Sequence, residues 1–178
     1  FPKDLRNDVS LSLTVMSVDP DCSPEITAMI GASIALSISD IPWNGPIAGV
    51  FMGLCDGEVV MNPTLEQRAK SDLQLTVAGS HEKVVMIEAG ANEVDDDTMF
   101  DAIMTAHEEI KKLCTFIDGI VAEVGKPKFT YESGELDHDM FDEIFAHCEK
   151  AVMEALDTDD KNVRDEKMVP ICDDIIAT

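Results

Sequence analysis

Residues 19–50 read DPDCSPEITAMIGASIALSISDIPWNGPIAGV, and this stretch decides how the first part of the chain folds. Ser23 is suited to cap a helix, and Pro24 is suited to the first helical position. The apolar spacing that follows predicts a helix over about 24–39, with one side of small residues that allows close packing on a sheet. A Trp-Asn-Gly turn then leads into an apolar run.

The start of this helix has the features of a phosphate site and also features that obstruct one. Amide groups at a helix start bind anions. Pro24, however, has no amide hydrogen to donate, and Glu25 brings a carboxylate to the same place. An ordinary, well-capped helix is the simpler interpretation. The sequence of the helix start alone does not decide between this helix and an obstructed phosphate site.

The first predicted strands lie on either side of this helix. Residues 9–18 alternate between apolar and polar side chains, which predicts a half-buried strand. Residues 47–54 and 58–62 are apolar runs on either side of Asp56-Gly57, and that dipeptide is a strong hairpin signal. A strand, a helix and a hairpin are therefore expected in that order.

A second hairpin and a long helix follow. Residues 73–78 and 83–88 flank a turn at Gly79-Ser80. Apolar residues recur every three or four positions over about 96–124, which predicts a helix with carboxylates at its positive end.

The composition changes after this helix. Residues 126–135 have the composition of a linker, and the pattern beyond them is helical. One helix is predicted over about 137–156, and another from near Asp160 with an interruption before Pro170.

The charge balance limits the partners that this chain can bind over its general surface. Its 178 residues contain 13 basic and 36 acidic side chains, a formal charge of −23. Such a surface repels nucleic acid, lipid headgroups and free nucleotides. The five cysteines are widely spaced without a CxxC motif, which indicates reduced thiols and a cytoplasmic compartment. No apolar run is long enough for a membrane span, so no membrane partner is expected.

Other candidate sites have simpler structural explanations. The four histidines form no ligand spacing with each other or with a cysteine; they are His81, His107, His138 and His147. The Asp95–Asp97 run is best explained as a solvated helix cap, because three consecutive side chains fan outward. The chain opens on Phe1 without a methionine and stops directly after an apolar helical pattern, so we expect a fragment of a larger protein.

The chain resembles the polynucleotide phosphorylase family. The motifs that carry the resemblance are DCSPEITAMIGASIALSISDIPWNGPIAGV at 21–50, NPT at 62–64, KSDLQLTVAGS at 70–80, EAGANEV at 88–94, HEEIKKL at 107–113 and GKP at 125–127. The match assigns residues 1–125 to the C-terminal half of the first of two ribonuclease-PH-like cores. It assigns residues 126–178 to the start of an all-helical domain. The implied fold class is α/β (α+β): a mixed sheet with packed helices, followed by an all-α domain.

The resemblance implies a cytoplasmic, phosphate-dependent 3′-to-5′ exoribonuclease that releases nucleoside diphosphates during mRNA degradation. The family forms a ring-shaped homotrimer with RNA in its channel, and partners in an RNA-degradation complex are also implied. Its chemistry requires Mg²⁺, which belongs to the second core, so no cofactor is expected in this segment. The family's RNA-gripping loop would precede Phe1, and the residues of this segment that contact RNA stay unknown.

The family's active core has two aspartates and a lysine just before a Val-Ala-Gly motif. Five residues separate the two aspartates, and one residue separates the second aspartate from the lysine. Counting back from Val77, those positions hold Arg68, Gln74 and Thr76 here. Gln74 and Thr76 share one face of a strand, and that face offers an amide and a hydroxyl where a metal cage needs carboxylates. The resemblance therefore implies that no catalytic or metal-binding residues remain at these positions.

The family's serine-rich phosphate loop corresponds to the obstructed helix start. The loop holds Ser23, Pro24 and Glu25 here, so the resemblance implies a degenerate phosphate site. Both departures predict a catalytically silent segment that contributes to ring assembly and to the RNA channel. Two alternatives remain: a free-standing acidic module that binds or regulates a partner without catalysis, and an enzyme with its own site on this segment. We also expect the isolated segment to be poorly stable as a monomer, because an apolar face would be left bare.

Overall fold

A computed structural model describes residues 1–177, and the chain divides into two compact units, Phe1–Glu132 and Ser133–Thr178. The first unit contains α1 (Pro24–Ile38), β1 (Ala48–Cys55), β2 (Glu58–Met61), α2 (Leu65–Lys70), β3 (Leu73–Gly79), β4 (Val84–Ala91) and α3 (Asp96–Val124). The second unit contains α4 (His138–Leu156) and α5 (Lys161–Ala177). The predicted boundary between family domains, at residues 125 and 126, stays a prediction.

The four strands form one sheet in the order β2-β1-β3-β4. The predicted class, a sheet with packed helices followed by further helices, is confirmed. A mixed sheet was expected, whereas all three pairings among the described strands are antiparallel. The first hairpin turns at Asp56 and Gly57, whose φ angles are 53° and 81°. Two consecutive positive φ angles match the right-handed twist of the flanking strands, so the dipeptide sets the register of β1 and β2.

One face of the sheet builds the core with α3. Alternate residues of β3 point to this face, and Leu73, Leu75 and Val77 are fully buried. Fully burying a side chain of this size stabilises the fold by about 1.5–3 kcal/mol. The buried cluster comprises Ala48, Val50, Met52, Leu73, Leu75 and Val77 from the sheet, and Ala102, Ala106, Ile110 and Cys114 from α3.

The opposite face of the sheet is covered in part by α1. A side chain on Gly49 of β1 would occupy the space that the Met29 thioether fills. The Ser33 hydroxyl of α1 accepts a hydrogen bond from the Ile47 amide at 3.0 Å. The small-residue side that was predicted to pack on the sheet does not do so, because Gly31 and Ala35 are exposed and Met29 and Ser33 face the strand instead. The first turn of α1 lies beside the polar face of the sheet.

Residues 126–131 form a strap that fastens the end of α3 to the end of α1. The Lys128 ammonium donates to the carbonyl oxygens of Leu36, Ser37 and Ser39 at 3.0, 3.0 and 2.7 Å. The Tyr131 hydroxyl donates to Asp4 Oδ1 at 2.8 Å. The first part of the predicted linker is therefore held against the first unit by hydrogen bonds.

The prediction of a strand over residues 9–18 is wrong. These residues form no regular secondary structure, and most are exposed. A strand requires a neighbour for its backbone groups, and no described strand pairs with this segment. The alternation of side chains shows that residues 9–18 favour a strand, but a strand forms only when its backbone pairs with a neighbouring strand.

Two helices differ from the prediction. The prediction of an interruption before Pro170 is wrong, because α5 continues through Pro170. Proline removes one helical hydrogen bond and bends a helix, and neither effect ends it here. The short helix α2 was not predicted, although Thr64 and Gln67 form a capping box that the sequence displays.

No helix within residues 1–177 combines the length and apolar character needed to cross a membrane.

Candidate functional site

Strand β3 carries the two predicted site residues on its polar face. Gln74 is exposed and Thr76 is half-buried, and they alternate with the fully buried Leu73 and Leu75. In the register of the sheet, Thr76 lies opposite Glu88 of β4. The polar face therefore presents an amide, a hydroxyl and a carboxylate side by side.

Helix α2 brings Arg68 to the edge of the same face. The helix begins at its Thr64 cap, whose hydroxyl accepts from the Gln67 amide at 3.3 Å. An Arg68 guanidinium nitrogen, Nη2, donates to the carbonyl oxygen of Pro20, just before α1. The Nε atom of Arg68 is buried and finds no hydrogen-bond partner among the described residues.

The start of α1 contributes the third group. The Ser23 side chain caps the helix, with its oxygen 3.5 Å from the Ile26 amide, and its hydroxyl donates to Glu25 Oε2 at 2.6 Å. This hydrogen bond lowers the pKa of Glu25, and the positive charge of Arg68 lowers it further. Glu25 is therefore held as a carboxylate at the helix start, where an incoming phosphate would be repelled.

These elements enclose an open cleft of about 390 Å³. Its lining residues are Ser23, Glu25, Ile26, Met29, Phe51, Arg68, Gln74, Thr76, Met86 and Glu88. The fold thus brings together five of the six positions that were singled out from the sequence. Pro24 is the exception, because it lines a separate groove of about 350 Å³ on the other side of the helix start.

The donor set of this cleft does not fit a magnesium ion. Mg²⁺ in proteins is held by carboxylates and water in a near-octahedral arrangement. The three positions implied by the family resemblance supply a guanidinium, an amide and a hydroxyl. Of the two carboxylates in the lining, Glu25 accepts a hydrogen bond from Ser23 and Glu88 lies opposite Thr76, so neither belongs to a cluster of carboxylates. Among residues 1–177, no group of three or more His, Cys, Asp or Glu side chains is placed to share a metal ion.

Sequence reasoning did not assign five of the residues that line the cleft to a site: Ile26, Met29, Phe51, Met86 and Glu88. Met86 and Glu88 lie on β4 opposite Ala78 and Thr76. Counting across the predicted second hairpin was the available signal for both. Phe51 lies opposite Thr76 on the other side, in a pairing that the sequence did not reveal.

The other polar candidates have structural roles in the described residues. The ring of the buried His107 lies 3.1 Å from the Ser80 carbonyl oxygen. His81 and His147 pair with Asp118 and Asp174 at 2.7 and 2.8 Å. Asp95 caps α3 by accepting from the Thr98 amide at 2.9 Å, as expected for the aspartate run.

Comparison with known proteins identifies the family. Residues 45–109 match the model described as "3' exoribonuclease family, domain 2". A polyribonucleotide nucleotidyltransferase of Ruminiclostridium cellulolyticum is 58% identical over 177 residues, which are 99% of this chain and 25% of that protein. The proteins of the same name from Lachnoclostridium phytofermentans and Clostridioides difficile are 56% and 49% identical, over 94% and 99% of this chain and 24% and 25% of their own lengths.

The chain therefore spans about a quarter of the length of the curated relatives that it matches. The matched domain covers β1 to β4 and the first half of α3, which are the elements that form the sheet and most of the cleft. On this agreement of sequence and fold, the chain belongs to the polyribonucleotide nucleotidyltransferase family.

Proposed function

We propose that this chain is a catalytically silent core segment of a phosphate-dependent 3′-to-5′ exoribonuclease. In the intact enzyme, RNA and phosphate would yield nucleoside diphosphates, and the chemistry would take place in a second core. This segment would contribute to the assembly of a homotrimeric ring and to the RNA channel. We also propose that the intact enzyme is cytoplasmic, that its second core requires magnesium, and that it has partners in RNA degradation.

The composition of the cleft is the observation that carries this proposal. Arg68, Gln74 and Thr76 converge on one cleft with the Glu25 carboxylate. A phosphorolytic site must attract phosphate and hold a metal ion against it. Here the carboxylate at the helix start repels phosphate, and the neutral groups of β3 offer no metal cage.

The charge of the segment is consistent with a supporting role. A surface with a formal charge of −23 contributes little direct attraction for RNA. The segment would then shape the channel while positive groups elsewhere in the intact enzyme bind the RNA. The free-standing acidic module predicts the same repulsion of RNA and the same lack of turnover, and it differs in predicting a self-sufficient, stable monomer.

The first test is phosphate-dependent release of ADP from poly(A) in the presence of magnesium. We expect release by the full-length relative from Ruminiclostridium cellulolyticum and none by this chain. Release by this chain that disappears in Gln74→Ala would contradict the proposal, because it would place a working site in the cleft.

The second test uses the intact relative with substitutions at the positions that match Arg68 and Gln74. Removing a group that stabilises the transition state lowers kcat by about 10²–10³-fold. A silent cleft predicts that Arg68→Ala and Gln74→Ala change kcat by less than about twofold. A hundredfold loss in either variant, with the ring still assembled, would refute the silence of this core.

A further inference from the structure

Three polar side chains of the cleft are not used by the fold. The side chains of Gln74, Thr76 and Glu88 make no hydrogen bond and no ion pair with any other residue of the described range, 1–177. Ser23 and Glu25 differ, because the Ser23 hydroxyl already donates to the Glu25 carboxylate at 2.6 Å. An amide, a hydroxyl and a carboxylate can therefore bind a ligand in the cleft without breaking a contact of the fold.

The register of the sheet fixes these groups beside one another. Thr76 lies directly opposite Glu88 of β4 on one side and Phe51 of β1 on the other. Directly opposite residues on one face of an antiparallel pair have Cβ atoms about 4.5–5.5 Å apart. Gln74 lies on the same face, two residues before Thr76. A carboxylate, a hydroxyl and an aromatic ring thus stand in one row across three strands, with an amide beside the row.

The charges of the cleft disfavour small ions of either sign. The carboxylates of Glu25 and Glu88 repel an anion, and the Arg68 guanidinium repels a cation. The rest of the lining is largely apolar and consists of Ile26, Met29, Phe51 and Met86. The volume of about 390 Å³ lies within the range of about 300–1,000 Å³ that is usual for small-molecule sites. An uncharged, flat ligand with a polar edge fits this lining best.

We propose that this cleft binds a guanine base. Guanine alone among the four RNA bases carries two adjacent donors, N1–H and the N2 amino group, and these match the two acceptor oxygens of the Glu88 carboxylate. The O6 atom next to them is an acceptor, and the Thr76 hydroxyl and the Gln74 amide are donors. The Phe51 ring offers a face on which a base stacks.

The other three bases do not match the carboxylate. Adenine and cytosine place a ring acceptor next to their amino group, and uracil places its single N–H between two carbonyl oxygens. Each of them would bring an acceptor against an oxygen of Glu88, which as a carboxylate only accepts hydrogen bonds. A site whose polar groups are left unpaired by the wrong ligand discriminates strongly against it.

The groups that would bind guanine are positioned by contacts inside this chain. Phe51, Gln74, Thr76 and Glu88 all lie within residues 45–109, the range of the matched domain, on strands that pair with one another. Binding of a base here goes beyond the proposed function, and it does not depend on the chemistry proposed for the second core.

The test is a titration of the ¹⁵N-labelled 178-residue chain with guanosine, adenosine and inosine, followed by NMR. We expect guanosine to shift the amide signals of Thr76 and Glu88 and to bind at least about tenfold more tightly than adenosine. Inosine lacks the N2 amino group and should also bind more weakly than guanosine. Adenosine that binds as tightly as guanosine, or guanosine that leaves these signals unchanged at millimolar concentration, would overturn the proposal.

Glu88→Gln isolates the contribution of the carboxylate. Glu88 is exposed, so the substitution keeps the size of the side chain and replaces one acceptor with a donor. We expect guanosine to bind at least about tenfold more weakly and its advantage over adenosine to disappear. Glu82→Gln is the matched control, because Glu82 is an exposed glutamate of the same hairpin and lies outside the lining of the cleft. Equal guanosine affinity in the two variants would refute the guanine site.

A short oligouridylate that contains one guanosine distinguishes the two sources of the base. Free guanosine that binds more tightly than the oligonucleotide would identify the nucleoside as the ligand, since Glu25 and the formal charge of −23 repel phosphates. An oligonucleotide that binds more tightly than both guanosine and an all-uridine control would identify RNA. Because these experiments measure binding and not turnover, their failure would leave the proposed silence of the cleft untouched.

Discussion

At the residue scale, the strap depends on single side chains whose chemistry can be followed individually. Tyr131 is the only tyrosine of the chain, and its hydroxyl donates to Asp4 Oδ1 at 2.8 Å. This hydrogen bond to the carboxylate raises the pKa of Tyr131, with desolvation and the negative charge of Asp4 acting in the same direction. The contact therefore requires the neutral phenol.

We expect the absorbance titration of Tyr131 to have its midpoint above that of a free tyrosine. Because the folded-state pKa is raised, the contact stabilises the fold at neutral pH and is lost as the pH rises through that pKa. Asp4→Asn should move the midpoint back towards the ordinary value. A midpoint that is the same in both proteins would show that Asp4 does not hold the phenol.

At the element scale, helix α1 has its negative end satisfied by a cation from a distant part of the chain. The carbonyl oxygens at a helix end lack helical partners, and Lys128 donates to three acceptors there, Leu36, Ser37 and Ser39. The helix itself was predictable from Ser23, Pro24 and the apolar stripe. Its closure by Lys128 was not, because no local pattern connects positions so far apart in the chain.

Lys128→Met should reduce the free energy of unfolding by about 1–2 kcal/mol, because it keeps the side-chain stem and removes the three donors. Urea denaturation followed by Trp43 fluorescence measures this change. Lys126→Met is the control, since Lys126 contributes its backbone amide to Ile38 and keeps it after substitution. Equal losses in the two variants would argue against the role of the ammonium.

The first hairpin offers a second test at this scale. Gly57 has a φ of 81°, so Gly57→Ala should destabilise the protein by about 1 kcal/mol. Gly119 lies within α3, where an added methyl group would enter open space, and Gly119→Ala should instead stabilise the protein by about 0.5–1 kcal/mol. Thermal unfolding of the two variants should shift in opposite directions, and shifts of the same sign would contradict the conformational argument.

At the scale of the whole molecule, charge and bare apolar surface act against the compact monomer. The 36 acidic residues exceed the 13 basic residues, so the folded chain repels itself. Ion pairs such as Lys70–Glu66 and Lys150–Glu154 are largely exposed and contribute little. The low stability expected for the isolated monomer stays a prediction.

Screening should therefore stabilise this protein. We expect the Tm to rise when NaCl increases from about 0.05 M to about 0.5 M, because the Debye length falls well below the spacing of most surface charges. Differential scanning calorimetry at neutral pH measures the shift. A Tm that falls with salt would mean that attractive pairs outweigh the repulsion.

The sequence by itself determined the elements that local chemistry controls. The Ser23-Pro24 start set the beginning of α1, Asp56-Gly57 placed the first hairpin, and apolar spacing placed the long helix. Each of these depends on contacts within a few residues along the chain, so the pattern and the structure coincide.

Only the tertiary structure decided which polar residues lie close together and which of the predicted strands form. The convergence of Arg68, Gln74 and Glu25 in one cleft depends on how α2, β3 and α1 pack, and their separation in sequence gives no measure of that distance. Residues 9–18 have the alternation of a strand and remain unpaired, because a strand exists only where another backbone supplies its hydrogen bonds.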